Sequence, residues 1–189
     1  MDAAPMLRID AGNARVSFSV RWFGVIIVRG TFPGLTGRIA IPGEGAEDAS
    51  VIIEVDPTSV RTGISLRDHH LRGMRFLDSG RHPVIRFVSD HVTRHDGEWD
   101  VHGRLLLRGY EREVSASVHE GNGGGPSRQL TADFTVPRRP HDIGTASGIR
   151  AMNPLLWAIG DDVSLHVEVL VPATMLTPTA APPAHVRAR

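Results

Sequence analysis

Cysteine is absent from the 189 residues of the chain, which excludes disulfide bonds, thiolate metal ligands and cysteine nucleophiles. Aromatic residues make up only 5% of the sequence, so the stacking surfaces that bind nucleic-acid bases are poorly supplied. No charge of one sign dominates, because 21 lysines and arginines balance 21 aspartates and glutamates. A nucleic-acid-binding protein normally shows a basic excess or a basic face, and this composition disfavours that class.

Long hydrophobic runs are also missing. Apolar runs such as Val25 to Val28 are short, far below the roughly 20 residues that a membrane-spanning helix needs. The N-terminal sequence MDAAPMLRID has neither the basic nor the apolar segment of a secretory signal. We therefore expect the chain as written to be cytoplasmic, and periplasmic or secreted if a leader has been removed.

The common catalytic and cofactor motifs do not occur either. The sequence has no G-x-S-x-G elbow, no H-E-x-x-H, no P-loop and no dinucleotide fingerprint. A metal site around Asp68, His69 and His70, with His82 and His91 nearby, is disfavoured because adjacent residues on a helix point about 100° apart. We predict no catalytic residues, no metal site and no cofactor.

What the sequence does contain is alternation of apolar and polar residues, which predicts half-buried β-strands. In Val16–Trp22, for example, the residues Phe18, Val20 and Trp22 fall on one face. The other strand-like segments are Val25–Phe32, Gly37–Ile41, Val51–Asp56, Val84–Ser89, Trp99–Leu107, Glu113–His119, Leu130–Val136 and Val163–Val171. The pattern predicts about eight antiparallel strands, in a sandwich or a barrel.

One stretch, Thr58–Phe87, separates two β regions and carries dense charge. Within it, Ile64–Leu77 has apolar residues close to a 3.6-residue period, which predicts a short amphipathic helix. Glycine weakens a helix interior, so we expect one or two turns that break near Gly73. His82-Pro83 then favours extended backbone and the start of a strand.

The same stretch carries a resemblance to a known family. The motifs are Thr62-Gly63, Arg67-Asp68-x-His70-Leu71, Phe76-Leu77-Asp78 and Pro83-x-Ile85-x-Phe87-x-Ser89. Similar flanking motifs are Ile9-Asp10, Val16-x-Phe18-Ser19-Val20-Arg21, Val28-Arg29-Gly30-x-Phe32, Gly103-x-Leu105-x-Leu107-x-Gly109 and Gly160-Asp161-x-Val163. In this order they resemble the YceI-like family of lipocalin-like, polyisoprenoid-binding bacterial proteins. The resemblance covers roughly Leu7 to Val171.

The resemblance implies an all-β fold: an elongated, eight-stranded antiparallel lipocalin-like β-barrel with a short helical insertion. We expect residues 7–171 to form the barrel domain, residues 1–6 a tail, and residues 172–189 a disordered tail rich in alanine and proline. The chain departs from the family pattern at Asn13-Ala14, at Trp22 and in Arg139–Gly144. Because of these changes, recognition of the usual ligand head group does not follow from the resemblance.

The apolar strand faces are candidates for a lipid-binding lumen. We predict that it is lined by Phe18, Val20, Trp22, Ile53, Met74, Phe76, Phe87, Leu105, Phe134 and Leu165. The alternative is that these side chains fill a closed core, because alternation shows burial and not a cavity. The family resemblance favours the lumen.

Arg67, Asp68 and His70 match the family's Arg-Asp-x-His-Leu element and are candidates for a polar head-group site at the barrel mouth. The alternative is an ion pair and a satisfied histidine that fix the helix over the barrel end.

Two functions from different classes follow. The leading hypothesis is binding, transport or storage, without catalysis, of a polyisoprenoid, lipoquinone, fatty amide or similar long-chain amphiphile. The alternative is a small enzyme or stress-response protein that uses a barrel-mouth histidine or metal on a hydrophobic substrate. A protein-interaction module is a third hypothesis. We expect no nucleic-acid partner and no membrane-spanning segment. The resemblance also suggests a homodimer, because many members of the family pair.

Overall fold

The computed structural model describes residues 6–41, 49–95, 98–145 and 158–176. Their main feature is one antiparallel sheet of ten strands in the order β1-β4-β5-β6-β7-β8-β9-β10-β2-β3. The strands are β1 Met6–Asp10, β2 Ala14–Trp22, β3 Ile26–Thr31, β4 Leu35–Ala40, β5 Ser50–Val55, β6 Ile85–His95, β7 Glu98–Leu107, β8 Tyr110–Asn122, β9 Ser127–Pro137 and β10 Ile159–Pro172. The helices are α1 Ser65–Arg72, α2 Ala173–Leu176 and the 3-10 turns Pro57–Ser59 and Arg139–His141.

The sheet is curled into a half-barrel, so the prediction of a closed eight-stranded barrel is wrong in strand number and in closure. The strand-like segments of the sequence correspond to β2–β10, and the additional strand is β1. Two bends interrupt the N-terminal strands. Residues 11–13 separate β1 from β2, and Phe32–Gly34 separate β3 from β4. β1 pairs with β4 while β2 pairs with β3. The two edges of the sheet are therefore connected through the chain rather than by a continuous hydrogen-bonded ladder.

The inward-facing side chains of the strands form the core, as their alternation predicts. Its most buried members include Ile9, Val16, Ile39, Val55, Val92, Trp99, Val169 and Val171. β10 illustrates the principle, because Val163, Leu165, Val167 and Val169 share one face of a strand whose side chains alternate. Each wall of the half-barrel is thus apolar on its concave side.

Tight turns connect neighbouring strands at the end of the sheet where β2 ends and β3 begins. The predicted interruption at Phe23-Gly24 is a hairpin turn with φ of 52° and 72°. Arg108-Gly109 forms a second turn of this kind, with φ of 52° and 78°. Two consecutive positive φ values are typical of type I′ turns, which match strand twist. The loop has two residues between Leu107 and Tyr110 and three between Trp22 and Ile26. The predicted Asp96-Gly97 turn lies outside the described residues.

The helix predicted in the central stretch is α1, and it ends at Gly73 as expected. Arg72 holds it against the preceding segment, because its guanidinium donates to the carbonyl oxygens of Thr58 and Val60 at 2.7 and 3.0 Å. That segment is attached to the sheet by a bridge between Thr31 and Arg61. These contacts place α1 across one end of the half-barrel.

The chain after Pro172 continues into α2, in which Leu176 is buried against the core. The sequence predicted a disordered tail from residue 172, and the first four residues after Pro172 differ from that prediction. Residues 177–189 lie outside the described part of the chain. Within the described part, no helix has the length and apolar character needed to cross a membrane.

Candidate ligand-binding cavity

The concave side of the sheet encloses a cavity of about 1000 Å³. Side chains from β2 to β10 line it, together with α1 and the segment that follows α1. Among the described residues, the polar ones that line it are Arg67, His69, His70, Arg75, Ser115 and Arg138, and the others are apolar apart from one glycine. Ligand cavities of about 300–1,000 Å³ are typical of sites that bury drug-sized molecules, so this cavity is at the upper end of that range.

The structure brings the ten predicted lumen residues together around this cavity. They are Phe18, Val20, Trp22, Ile53, Met74, Phe76, Phe87, Leu105, Phe134 and Leu165. Most lie on strands whose alternation points them inward, while Met74 and Phe76 come from the segment after α1. A core without a cavity, the alternative from alternation alone, is not what the structure has. Contact of these ten residues with a ligand stays a prediction.

The cavity mouth lies beside α1. Ile64, Leu66 and Met74 line the cavity, yet they are 53%, 66% and 63% exposed to solvent. The predicted amphipathic face is therefore divided, because Leu71 and Leu77 pack against the core while these three remain at the rim. Apolar side chains in contact with both cavity and solvent mark an opening.

Arg67 and Asp68 both bind Thr62, rather than each other. The Asp68 carboxylate is buried and accepts hydrogen bonds from the backbone N–H of Thr62, at 2.8 Å, and from its hydroxyl group. Arg67 donates to the Thr62 hydroxyl and carbonyl oxygens at 2.7 and 2.8 Å. This network fixes α1 on the segment before it and leaves Arg67, but not Asp68, in the cavity lining.

His70 is the third predicted mouth residue, and it lines the cavity while remaining exposed. Its ring centroid lies 6.3 Å from that of His69, with the planes tilted by 55°. Among the described residues, no group of three or more histidines and carboxylates is arranged to hold a metal ion. The geometry therefore makes His70 available to a ligand entering or leaving the mouth.

Arg138 is a cavity residue that the sequence reasoning missed. It is only 4% exposed and donates to the carbonyl oxygens of Ile143, Gly144, Ile159 and Gly160 at 2.7 to 3.1 Å. Burial lowers the pKa of its guanidinium, and Asp161 partly opposes that effect. The signal in the sequence is that Arg138 continues the inward phase of Phe134 and Val136.

Arg108 is a second arginine at this end, and it connects two loops. Its guanidinium donates to the carbonyl oxygens of Met74 and Asp142 and forms a salt bridge of 2.7 Å with the Asp142 carboxylate. The backbone N–H of Gly144 also donates to the Arg75 carbonyl oxygen at 2.6 Å. The loop after α1 is therefore held against the loop after β9, which fixes one side of the mouth.

Comparison with known proteins gives the chain a family. A family model described as the YceI-like domain matches residues 7–171. A UPF0312 protein of Vibrio parahaemolyticus is 30% identical over 169 residues, which cover 82% of this chain and 81% of that protein.

Two solved structures share the fold. One is BcnA of Burkholderia cenocepacia, with a TM-score of 0.76, 17% identity, and coverage of 86% of this chain and 99% of that one. The other is a polyisoprenoid binding domain from Saccharophagus degradans, with a TM-score of 0.68, 14% identity, and coverage of 90% and 99%. At these identities the two structures support the fold alone. The family model spans nearly all of the described sheet, and the chain belongs to the YceI-like family.

Proposed function

We propose that this protein binds a polyisoprenoid or a similar long-chain amphiphile in its cavity, for transport or storage, and performs no chemistry on it. The observation that carries the proposal is the apolar cavity of about 1000 Å³ with a partly exposed rim at α1. The structural neighbour from Saccharophagus degradans, which is described as polyisoprenoid-binding, supports the choice of ligand class.

The cavity volume sets the size of the buried chain. At about 30 Å³ per small group, the share that a water molecule takes in the liquid, the cavity accommodates on the order of 30 non-hydrogen atoms. At roughly −0.3 kcal/mol per atom, such a ligand would bind with about −9 kcal/mol. That free energy corresponds to a dissociation constant below about 1 μM, so apolar burial is sufficient without an ionic anchor.

The polar head of the ligand belongs at the mouth, beside Arg67 and His70. Both side chains line the cavity there, and an arginine and an imidazole can donate hydrogen bonds to a phenol, quinone, amide or phosphate oxygen. Asp68 has an indirect role, because its carboxylate accepts a hydrogen bond from Thr62 and this contact holds α1 in position. We assign it a positioning role rather than a ligand contact.

The absence of catalysis is part of the proposal. The enzyme alternative requires a second ionisable group that converges on His70. Among the described residues, no carboxylate forms a salt bridge with His70. A binding site with an available polar rim suits recognition of a head group better than proton transfer.

Organic extraction of the purified protein, followed by mass spectrometry of the extract, tests the proposal. We expect a polyprenyl, quinone or fatty-amide species in about equal amount to the protein, and its head group would be the one that faces Arg67 and His70. A blank extract, together with no binding of added polyprenol or quinone, would contradict the proposal. Heat-denatured protein carried through the same steps corrects for adhering lipid.

A further inference from the structure

Exposed apolar side chains gather at the cavity mouth, and the cavity does not account for all of them. The β2–β3 hairpin carries Phe23, Val25 and Ile26, which are 56%, 81% and 49% exposed. Trp22, which lines the cavity, lies next to this tip, with its ring centroid 4.9 Å from that of Phe23. Together with Ile64, Leu66 and Met74 at the rim, these hairpin residues form an apolar patch, here named the rim patch.

Phe23 is the most informative member of the rim patch, because its backbone conformation does not suit it. Its φ of 52° is in the left-handed region, which bulky residues rarely adopt and asparagine tolerates well. An Asn-Gly pair is the preferred sequence for a type I′ hairpin turn, whereas this chain has Phe23-Gly24. The contact with the Trp22 ring still leaves Phe23 56% exposed, so much of this side chain is accessible to a contact outside the chain.

The rim patch is surrounded by positive charge. Residues 21–29 and 61–75, which carry all six rim-patch residues, contain six arginines and one carboxylate, Asp68. Asp68 is buried against Thr62. On the neighbouring segments, the carboxylates of Asp142 and Asp161 are paired with Arg108 and Arg139, and the exposed Asp162 adds one negative charge. In a chain with a formal net charge of zero, this end is locally basic.

We propose that the rim patch docks the protein on an anionic phospholipid surface, with the cavity mouth facing the lipid. An apolar tip that inserts beside the head groups, ringed by arginines that attract anionic lipids, is the combination that interfacial membrane binding requires. A long-chain amphiphile would then pass between bilayer and cavity without crossing water. This goes beyond the proposed function, since docking does not depend on which ligand the cavity holds.

A lipid surface fits the rim patch better than a protein partner does. Protein interfaces bury about 800 Å² on each partner and have well-packed centres. The rim patch instead consists of a two-stranded tip and a helix edge, two separate elements that each adjoin lining residues of the cavity. Two separate elements do not form one continuous packed centre, whereas a fluid bilayer can follow the shape of both.

Flotation with vesicles tests the proposal directly. The full chain is mixed with vesicles of phosphatidylcholine alone, or of equimolar phosphatidylcholine and phosphatidylglycerol, and the floated fraction is measured. We expect binding to the anionic vesicles that is at least about tenfold stronger than to the neutral ones. Added salt should weaken it, because screening shortens the reach of the arginines.

The variant Phe23→Asn with Val25→Thr removes the tip without weakening the fold, since it creates the favoured Asn-Gly turn. Neither residue lines the cavity, so binding of a polyprenol delivered from ethanol should be unchanged. We expect vesicle binding to fall at least about tenfold, because two side chains lose their burial in lipid. Met6→Ser is the matched control, since Met6 is 67% exposed on β1 and lies at the opposite end of the sheet.

Charge is tested separately with Arg21→Gln and Arg29→Gln in one chain. The control has the same net charge through Arg8→Gln and Arg38→Gln, two exposed arginines that face each other on β1 and β4. Only the first pair should weaken anionic vesicle binding.

Wild-type protein that does not float would overturn the proposal, as would equal flotation of the tip variant. A concentration-dependent dimer that the tip variant abolishes, without vesicle binding, would assign the rim patch to a second copy of the chain instead.

Discussion

At the scale of single residues, the cavity mouth depends on buried polar side chains that no strand pattern requires. Arg138 donates to four backbone carbonyl oxygens from the loop after β9 and from the first residues of β10. Its planar guanidinium reaches all four at once, which a lysine ammonium cannot do. The residue therefore acts as an internal brace between two segments that are distant in sequence.

The brace gives a stability prediction. Arg138→Lys should lower the free energy of unfolding by on the order of 3 kcal/mol, because it leaves buried carbonyl oxygens without donors. Arg139→Lys is the control, since the Arg139 side chain is 66% exposed and only forms a surface salt bridge with Asp161. That change should cost less than about 1 kcal/mol. Chemical denaturation measures both, and equal losses for the two variants would refute the brace.

A buried histidine nearby makes stability depend on pH. His141 is 1% exposed, and burial lowers the pKa of its imidazole, although the Leu107 carbonyl oxygen partly opposes this. The unfolded chain therefore takes up a proton below pH about 6.5 that the folded protein resists. The stabilisation is present above that pH and is lost as the pH falls below it.

Denaturation at pH about 7.5 and about 5.5, on either side of the unfolded histidine pKa, checks this. His141→Gln should lose less stability than the wild type between the two. His166→Gln should do the opposite, because the hydrogen bond that the His166 imidazole donates to the Asp133 carboxylate raises the pKa of His166. The contribution of His166 is present at low pH and is lost as the pH rises through its folded pKa. Identical slopes in wild type and His141→Gln would contradict the assignment.

The sequence predicts the location of a side chain well where the residue belongs to a periodic pattern and poorly where it does not. Alternation placed Phe18, Phe87 and Phe134 at the cavity because each lies within a regular strand. Arg138 was missed because Pro137 reads as the end of a strand, although the inward phase continues for one more residue. An ion pair between Arg67 and Asp68 was the alternative to a head-group site, but both residues bind Thr62 instead. That common partner depends on a backbone approach that spacing does not encode.

At the scale of elements, glycines set how closely strands approach. Gly103 on β7 has no room for a side chain, since an added Cβ would lie 2.3 Å from the Val88 carbonyl oxygen and 2.7 Å from the Phe87 ring. This is the first glycine of the motif Gly103-x-Leu105-x-Leu107-x-Gly109. Close packing of the Phe87 ring against β7 therefore requires glycine at this position.

Gly103→Ala should destabilise the protein by about 1–3 kcal/mol, because the backbone of β6 or the Phe87 ring must shift. Gly121→Ala on β8 is the control, since its nearest neighbour, the Gln129 carbonyl oxygen, is 3.7 Å from the added Cβ. That change should stay within about 1 kcal/mol of the wild type. Thermal unfolding compares the two, and a neutral Gly103→Ala would refute the close approach.

Elements with several alternating residues were predicted, and the exceptions have physical reasons. β1 was not predicted as a strand, because Leu7 and Ile9 are its only inward apolar residues and Arg8 lies between them. The predicted segments Val16–Trp22, Val25–Phe32 and Gly37–Ile41 correspond to β2, β3 and β4, and the bend predicted at Pro33-Gly34 separates β3 from β4. α1 was predicted together with its end, because the apolar period indicates a helix and Gly73 indicates where that helix stops.

At the scale of the whole molecule, the cavity depends on the distance between the facing walls of the curled sheet, and no single wall determines that distance. Alternation shows that a strand face is buried, and it carries no information about the distance to the opposite wall. The sequence therefore left a filled core and a lumen as alternatives, and the resemblance to relatives favoured the lumen. The curled sheet with its two bends provides that distance.

Filling the cavity tests the central claim most directly. Ala116 and Ala132 line it from β8 and β9, and Ala116→Phe with Ala132→Phe would occupy part of the apolar space that the ligand needs. Thr135→Phe is the control, because Thr135 is exposed on β9 between two inward residues. Binding of a radiolabelled polyprenol of about 30 carbons, the length that matches the cavity volume, is measured by equilibrium titration of delipidated protein.

We predict saturable binding of one polyprenol per chain in the wild type and in Thr135→Phe, and at least about tenfold weaker binding in the filled variant. Circular dichroism and thermal unfolding would show that the filled variant is folded. Equal affinity of the filled variant and the wild type would place the ligand elsewhere. Absence of binding to the delipidated wild type would contradict the account as a whole.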